Sequence, residues 1–206
     1  HNIPTAKYKT FTNSKDAKTY IEEKGTPIVI KADGLAAGKG VVVAMSMKEA
    51  LSSVDSMLED NLYGEAGARV VIEEYLCGEE VSFIVICDGS SILPLASSQD
   101  HKRLLDSDLG PNTGGMGAYS PAPIVTPELH KRIMNEIIEP TINGMKKDGI
   151  EFTGFLYAGL MIDKDNNIKT LEFNCRMGDP ETQPILFRLK SDLFEILLAA
   201  TNKNIK

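Results

Sequence analysis

A run of glycines set between two apolar strands constrains this chain more than any other feature. Lys31-Ala32-Asp33-Gly34-Leu35-Ala36-Ala37-Gly38-Lys39-Gly40 follows Ile28-Val29-Ile30 and precedes Val41-Val42-Val43. The pattern reads strand, glycine-rich loop, strand. Gly34, Gly38 and Gly40 open backbone angles closed to other residues and let main-chain N–H groups approach a ligand. Lys31 at the strand end and Lys39 inside the loop add positive charge. Such a loop suits nucleotide phosphates; a plain hairpin turn with solvated lysines is the alternative. Spacing excludes two familiar phosphate loops. A P-loop needs four residues between its first glycine and Gly-Lys, then Ser or Thr. Here three residues separate Gly34 from Gly38, and Gly40 follows the lysine. A dinucleotide fingerprint begun at Gly38 needs glycine where Val43 stands. A loop of this kind that holds phosphate lies over it as a flap.

The chain has 206 residues, 42% hydrophobic and 25% charged. That is ordinary globular composition, enough for one large domain or two small ones. No apolar run approaches the roughly 20 residues of a membrane span, and no signal-peptide pattern opens the chain. A net charge of -7 argues against a general nucleic-acid surface but not against a local lysine pocket. Cys77, Cys87 and Cys175 have no metal or redox spacing, which suits the reducing cytoplasm. The first residue is His1, and the expectation is a piece of something longer.

In chain order, Ala6 to Phe11 reads as a strand. Asn13 or Ser14 caps a helix with Ala17, Tyr20 and Ile21 on one face, closed by Gly25. The flap hairpin follows. Ser46-Met47-Lys48-Glu49 is a capping box for a helix carrying Ala50, Leu51, Val54, Met57 and Leu58 inward. Arg69 to Leu76 is a strand, and Val81 to Cys87 another. Glu73-Glu74 and Glu79-Glu80 flank the break between them. The functional reading is an adenosine site: extended main chain bonds adenine and a nearby carboxylate takes the ribose hydroxyls. A solvated edge is the alternative. Residues 97–118 show little periodicity and read as a long functional loop. Lys102, Arg103 and the glycines at 114, 115 and 117 make it a candidate anion or carboxylate pocket. His101 lacks a spaced metal partner and reads as a structural histidine. Thr126-Pro127-Glu128 starts a helix with Leu129, Ile133, Ile137, Ile138 and Ile142 buried, and Pro140 should kink it. Strands at 154–163 and 168–173 flank a tight turn, and Ser191 caps a last apolar helix.

Glu172-Phe173-Asn174-Cys175-Arg176 ends the last strand. Alternation puts Glu172, Asn174 and Arg176 on one face, with the first two about 7 Å apart. A hard ion such as Mg²⁺ takes one or two protein oxygens together with phosphate oxygens. Arg176 beside them could hold a transferring phosphoryl group or a substrate anion.

Taken together, Lys31 to Gly40, Gln99 to Arg103, Gly110 to Pro121, Gly154 to Met161 and Glu172 to Gln183 resemble the glycinamide ribonucleotide synthetase, or phosphoribosylamine–glycine ligase, family. Its members are ATP-grasp carboxylate–amine ligases of purine biosynthesis, and the resemblance runs nearly end to end. It implies an α+β ATP-grasp fold of two subdomains with antiparallel sheets clasping the nucleotide: a small lid at 1–75 and a larger subdomain at 76–206. It implies ATP with Mg²⁺ (or Mn²⁺), and the substrates glycine and phosphoribosylamine. Lys31 would contact phosphate under the flap of Gly34, Gly38, Lys39 and Gly40. Glu73, Glu74, Tyr75 and Leu76 would form the adenine hinge, and Glu80 would hold the ribose. Glu172 and Asn174 would be metal ligands. Asp100, Lys102 and the 114–117 loop would face the substrates, and Arg176 the transferred phosphoryl or substrate phosphate. The implied chemistry passes through a glycyl phosphate, which the amine of phosphoribosylamine attacks.

The chain departs from the family pattern twice. The strand before Glu172 reads Ala158-Gly159-Leu160-Met161-Ile162 and offers no second metal carboxylate. The family's N-terminal domain, which helps bind phosphoribosylamine, and its C-terminal domain are absent, so the 206 residues alone are expected to be inactive. The alternatives are another ATP-grasp carboxylate–amine ligase, which would keep the flap and Glu-x-Asn but not the 97–121 segment, and a nucleotide-binding module without turnover.

Overall fold

The computed structural model describes residues 1–34, 36 and 40–205, apart from the side chains at 103, 108, 111 and 112. The chain forms two compact units, Ala6–Leu76 and His1–Thr5 with Cys77–Lys206. Among the described residues no helix is long and apolar enough to cross a membrane.

The smaller unit runs β1 (Tyr8–Phe11), α1 (Ser14–Lys24), β2 (Ile28–Ala32), β3 (Val41–Ala44), α2 (Met47–Leu58), a 3₁₀ turn at Gly64–Gly67 and β4 (Val70–Glu74). The strands form one antiparallel sheet in the order β1-β4-β2-β3. Alternation buries Ile28, Ile30, Val70 and Ile72 with Ala17, Ile21, Ala50, Val54 and Met57 of the helices. Each large aliphatic chain so buried contributes about 1.5–3 kcal/mol. Both helix starts follow from their sequence. Asn13 accepts from Asp16 N at 3.1 Å, and Gly25, at φ 77°, returns its N–H to Ile21 O. Ser46 accepts from Glu49 N at 3.3 Å. The Glu49 carboxylate accepts from Met45 N at 3.0 Å, one residue upstream of a standard capping box.

The larger unit is built on a sheet in the order β12-β11-β5-β6. Its strands are β5 (Glu79–Asp88), β6 (Ile92–Pro94), β11 (Thr153–Ile162) and β12 (Ile168–Asn174). Between β6 and β11 lie four short strands and a broken helix. The strands are β7 (Gln99–Asp100), β8 (Arg103–Leu105), β9 (Leu109–Asn112) and β10 (Ala118–Tyr119); the helical segments are α3 (Pro127–Ile133) and α4 (Glu139–Lys147). The chain closes with α5 (Thr182–Arg188) and α6 (Leu193–Thr201). Residues 1–5 join this unit, Pro4 O accepting from Thr170 N at 2.8 Å. Val81, Phe83, Val85, Leu156, Ala158 and Leu160 pack one sheet face against Leu129, Ile133, Ile137, Ile138 and Ile142. Ile84, Ile86 and Tyr157 face the other way, toward Ile185 and Ala200. With both faces covered, β5 reads as a continuous apolar run. Burial within that run, with Asp88 as a like charge, pushes the Cys87 thiol up to about 12, so it is packing material.

Three expectations are corrected. Residues 97–118 are not one long loop: β7 pairs β10 and β8 pairs β9. The helix at 182–188 was not expected, because only Ile185 of it is buried. Asp192, not Ser191, caps the last helix, accepting from Phe194 N at 2.8 Å. The helix expected from residue 126 runs on past Pro140. The preceding turn, Met134–Ile138, widens to a π turn in which Glu139 N donates to Met134 O. This accommodates a ring that would crowd the Glu136 carbonyl and offers it no N–H.

Candidate functional site

The polar face of the larger sheet is set by one β-bulge. β11 pairs β12 with Met161 opposite Lys169 and Leu160 opposite Thr170, but then Gly159 stands opposite Glu172 and Tyr157 opposite Asn174. Leu171 is the extra residue. A one-residue shift moves every later side chain to the other face. Without it, Glu172 and Asn174 would point into the apolar layer with Thr170. On β5, Ser82 lies opposite Gly159 and Glu80 opposite Met161. Glu80, Ser82, Tyr157, Glu172 and Asn174 therefore share one face. A Cβ at Gly159 would stand 3.4 Å from Glu172 Cγ, an ordinary van der Waals contact. Asn174 Nδ2 donates to Glu172 Oε1 at 3.1 Å, so the pair presents carboxylate and amide oxygens together.

A buried carboxylate lies at the centre of this face. Glu181 is 2% exposed, and its Oε1 accepts from Ser82 Oγ at 2.7 Å and Tyr157 OH at 3.0 Å. Burial, with the charge of Glu181 adding to it, pushes the Tyr157 phenol well above its usual range, so it stays a donor. Glu181 Oε2 and Asp100 Oδ1 are buried and have no hydrogen-bond partner among the described residues. Each such atom costs about 1–3 kcal/mol. Burial raises Asp100 from 3.8 to about 6; Lys102 opposes the rise, and Glu181 and Glu80 add to it. Lys102 is bound to Glu80 by a salt bridge. Its burial would lower its pKa, but the charge and hydrogen bond of Glu80, then Asp100 and Glu172, outweigh that and raise it. Gln99 braces the group, donating to Glu80 O at 3.1 Å and accepting from Tyr119 OH at 2.7 Å.

On the smaller unit, Lys31 and Glu73 lie on the sheet face opposite the helices. Lys31 Nζ is 2.8 Å from Glu73 Oε2, with side chains 21% and 16% exposed. Gly34 N donates to Ala66 O at 3.0 Å, and a Cβ there would stand 2.5 Å from Ala66 Cα. Gly40 O accepts from Ala32 N at 2.8 Å. Gly34 is thus also needed for close backbone packing, and a Cβ at Gly40 would stand 2.6 Å from Ala36 Cβ. Gly38 and Lys39 lie outside the described residues. Glu74 is tied to the neighbouring strand: its N donates to Lys7 O, and its carboxylate accepts from Lys7 N at 3.0 Å. Beyond the end of β4, the half-buried Tyr75 and Leu76 have no main-chain hydrogen bond among the described residues.

A model of the phosphoribosylglycinamide synthetase ATP-grasp (A) domain matches residues 1–182. The chain belongs to this family. The phosphoribosylamine–glycine ligase of Ralstonia nicotianae is 70% identical over 197 residues, covering 96% of this chain and 47% of that protein. The Vibrio vulnificus protein of the same name is 62% identical, over 100% of this chain and 48% of its own. The chain therefore spans about half the length of the curated relatives it matches. The crystal structure of the Thermotoga maritima phosphoribosylamine–glycine ligase, 34% identical, superposes with a TM-score of 0.89 over 98% of this chain and 51% of that one. Carboxyaminoimidazole ribonucleotide synthase complexed with ATP, from Aspergillus clavatus, is 15% identical with a TM-score of 0.61, over 86% and 42%. That likeness concerns the fold alone, and the fold of this chain is the α+β ATP-grasp fold.

Within this ATP-grasp domain, the structure brings Asp100, Lys102, Glu80, Glu172 and Asn174 into one unit. It does not extend the strand to Arg176. That residue lies in a bend beyond β12, exposed, its guanidinium donating to Met177 O at 2.9 Å. His101, exposed, rests against Tyr119, ring centroids 5.5 Å apart. Sequence reasoning missed Ser82, Tyr157 and Glu181 as a set. Their only local signal is a serine and a tyrosine inside otherwise apolar strands, because their meeting depends on register.

Proposed function

We propose that this chain is the ATP-grasp part of a phosphoribosylamine–glycine ligase, acting in purine biosynthesis in the cytoplasm, where its three free cysteines stay reduced. The observation that carries the reading is the single polar sheet face holding Glu80, Glu172, Asn174 and Glu181 beside Asp100 and Lys102. A glycine carboxylate oxygen attacks the γ-phosphorus of ATP, and ADP leaves. The amine nitrogen of phosphoribosylamine then attacks the acyl carbon of glycyl phosphate, loses its proton and expels phosphate. The product is glycinamide ribonucleotide. The protein supplies no nucleophile; it orients reactants and balances charge.

The residue roles follow from the same reading. Lys31 exchanges Glu73 for a nucleotide phosphate under the flap of Gly34, Gly38, Lys39 and Gly40. Tyr75 and Leu76 offer unpaired main-chain groups to adenine, with Glu73 and Glu74 fixing the strand behind them. Glu80 takes the ribose hydroxyls. Asp100, Lys102 and the 114–117 loop face the substrates, and Arg176 the transferred phosphoryl or substrate phosphate. Glu172 and Asn174 form an all-oxygen pair of the kind a hard Mg²⁺ (or Mn²⁺) ion takes. No group of three or more His, Cys, Asp or Glu side chains among the described residues suits a metal, so phosphate oxygens would complete the shell. The ion bound there would neutralise charge on the transferring phosphoryl group. The unit Ala6–Leu76 serves as lid, and His1–Thr5 with Cys77–Lys206 as the metal and substrate subdomain.

The remaining half of such a protein helps hold phosphoribosylamine. Without it the orientation advantage, on the order of 7–11 kcal/mol when complete, is lost. A coupled ADP assay with glycine and freshly made phosphoribosylamine tests this. The protein from the complete reading frame should turn over, and the 206 residues alone should make little product. Comparable rates would refute the division of labour, and no turnover by the complete protein would refute the ligase reading.

A further inference from the structure

We propose that the open edge of β1, with the adjoining face of α1, takes up an extended basic peptide segment of a partner protein as a further strand of the smaller sheet. The proposal does not rest on the ligase reading. β1 is an edge strand, paired only with β4 among the described residues. Glu74 N donates to Lys7 O at 2.9 Å, so Lys7 and Glu74 face each other as a hydrogen-bonded pair. Antiparallel bonding recurs at every second residue, which makes Lys9 with Ile72 and Phe11 with Val70 the next such pairs. The main-chain groups of Tyr8 and Thr10 therefore point away from β4, along the open edge. Beside that edge, β1 and α1 border a groove of about 470 Å³. Its helix side carries Asp16, Thr19, Tyr20 and Glu23, positions three and four apart that share one helix face. Lysines commonly blunt an open edge by standing out from it. Lys9 does not: its Nζ turns back over the rings of Phe11 and Tyr20, 5.3 and 5.6 Å from their centroids.

The charges on the helix side fix the chemistry of the occupant. Asp16 and Glu23 are exposed, and neither is in a salt bridge among the described residues. Seven residues separate them, about 10 Å along a helix. In an added strand, residues i and i+4 point to the same side about 13 Å apart, a difference that long Lys or Arg side chains absorb. The residue between them, i+2, lies over Lys9 and the two rings, where an apolar side chain fits. The matching segment is basic-x-apolar-x-basic. Main-chain bonds to Tyr8 and Thr10 hold its backbone, and charge-assisted bonds to the two carboxylates hold its ends. A second copy of this chain fits less well, because a two-fold axis at the edge sets Asp16 and Glu23 against their own counterparts.

The test is fluorescence anisotropy of a labelled, end-capped peptide, Thr-Arg-Thr-Val-Thr-Arg-Thr, titrated with the protein expressed from its complete reading frame. Saturable binding is expected, weakened at least tenfold by Asp16→Asn with Glu23→Gln, and again by Thr10→Pro. Proline at position 10 removes an outward N–H and leaves the bonds to β4, which is where an edge strand tolerates it. The same peptide with Glu for both Arg should bind at least tenfold more weakly, and hydrogen exchange at residues 8–12 should slow in the presence of the basic peptide. The proposal is wrong if the basic peptide does not bind, if the acidic peptide binds as tightly, or if either folded variant stays within twofold of the parent. Dimers joined at this edge that the peptide does not displace would overturn it in favour of a second copy. Ligase turnover, measured on the same proteins, should be equal in parent and variants, so the ligase reading is judged separately. Thermal melts establish folding, and the variant altered at Asp16 and Glu23, both exposed, carries the test should Thr10→Pro not fold.

Discussion

The two units carry the same kind of sheet and use its polar face in opposite ways. Each is four-stranded and antiparallel; helices cover one face of the smaller sheet, and part of both faces of the larger. On the smaller sheet the charges are matched: Lys31 faces Glu73 at 2.8 Å. On the larger one acid exceeds base. Among the described residues Glu80 has Lys102, Glu172 has an amide, and Asp100 and Glu181 each keep a bare oxygen. A matched pair gives up its cation when a polyanion arrives. An unmatched acidic face is built to receive cations. On the proposed function, phosphate contact belongs to the smaller unit and metal contact to the larger.

The sharpest way to break this comparison is at Glu172 and Asn174. In the complete protein, Glu172→Gln and Asn174→Ala should lower turnover by about 2–4 kcal/mol of transition-state stabilisation, with a smaller effect on nucleotide affinity. Unchanged turnover at saturating Mg²⁺ would remove the metal face. Next comes Gly178→Ala. A Cβ at 178 would stand 2.4 Å from Glu181 Oε2, so Glu181 must shift, at a cost of about 1–3 kcal/mol. Gly114, with nothing within 4 Å of its Cβ position, is the control and should tolerate Ala. Equal urea midpoints for the two variants would show that Glu181 is not tightly held.

The smallest effect concerns pH. Burial raises Asp100 from 3.8 to about 6, so the folded chain binds this proton more tightly than the unfolded chain does. Stability from the protonated group is full below about pH 4 and is lost as pH rises to about 6. Asp100→Asn should therefore gain stability over the parent between those values and keep a constant margin above them. Melting curves at pH 4, 5, 6 and 7.5 check this; a margin independent of pH would place Asp100 in water.

Much of the fold was legible because its signals are local. The flap hairpin, the caps at Asn13, Ser46 and Thr126, and the aliphatic stripe from Leu129 to Ile142 all depend on neighbours a few residues away. Glu172 and Asn174 were placed on one face by simple alternation. The bulge at Leu171 decides which face that is, and no local residue type announces it. Arg176 was placed with them only by extending the strand past its end. The Ser82–Tyr157–Glu181 group spans 99 residues in sequence and forms only once β5 and β11 are in register. Residues 97–118 looked structureless because two-residue ladders are too short to show a period.

The most direct test is a calorimetric titration of this 206-residue chain with Mg-ATP, beside its Lys31→Met variant. The matched-pair account expects one nucleotide per chain, with affinity falling about tenfold in the variant, or about 1.4 kcal/mol. No heat of binding, or equal affinities for the two proteins, would contradict it.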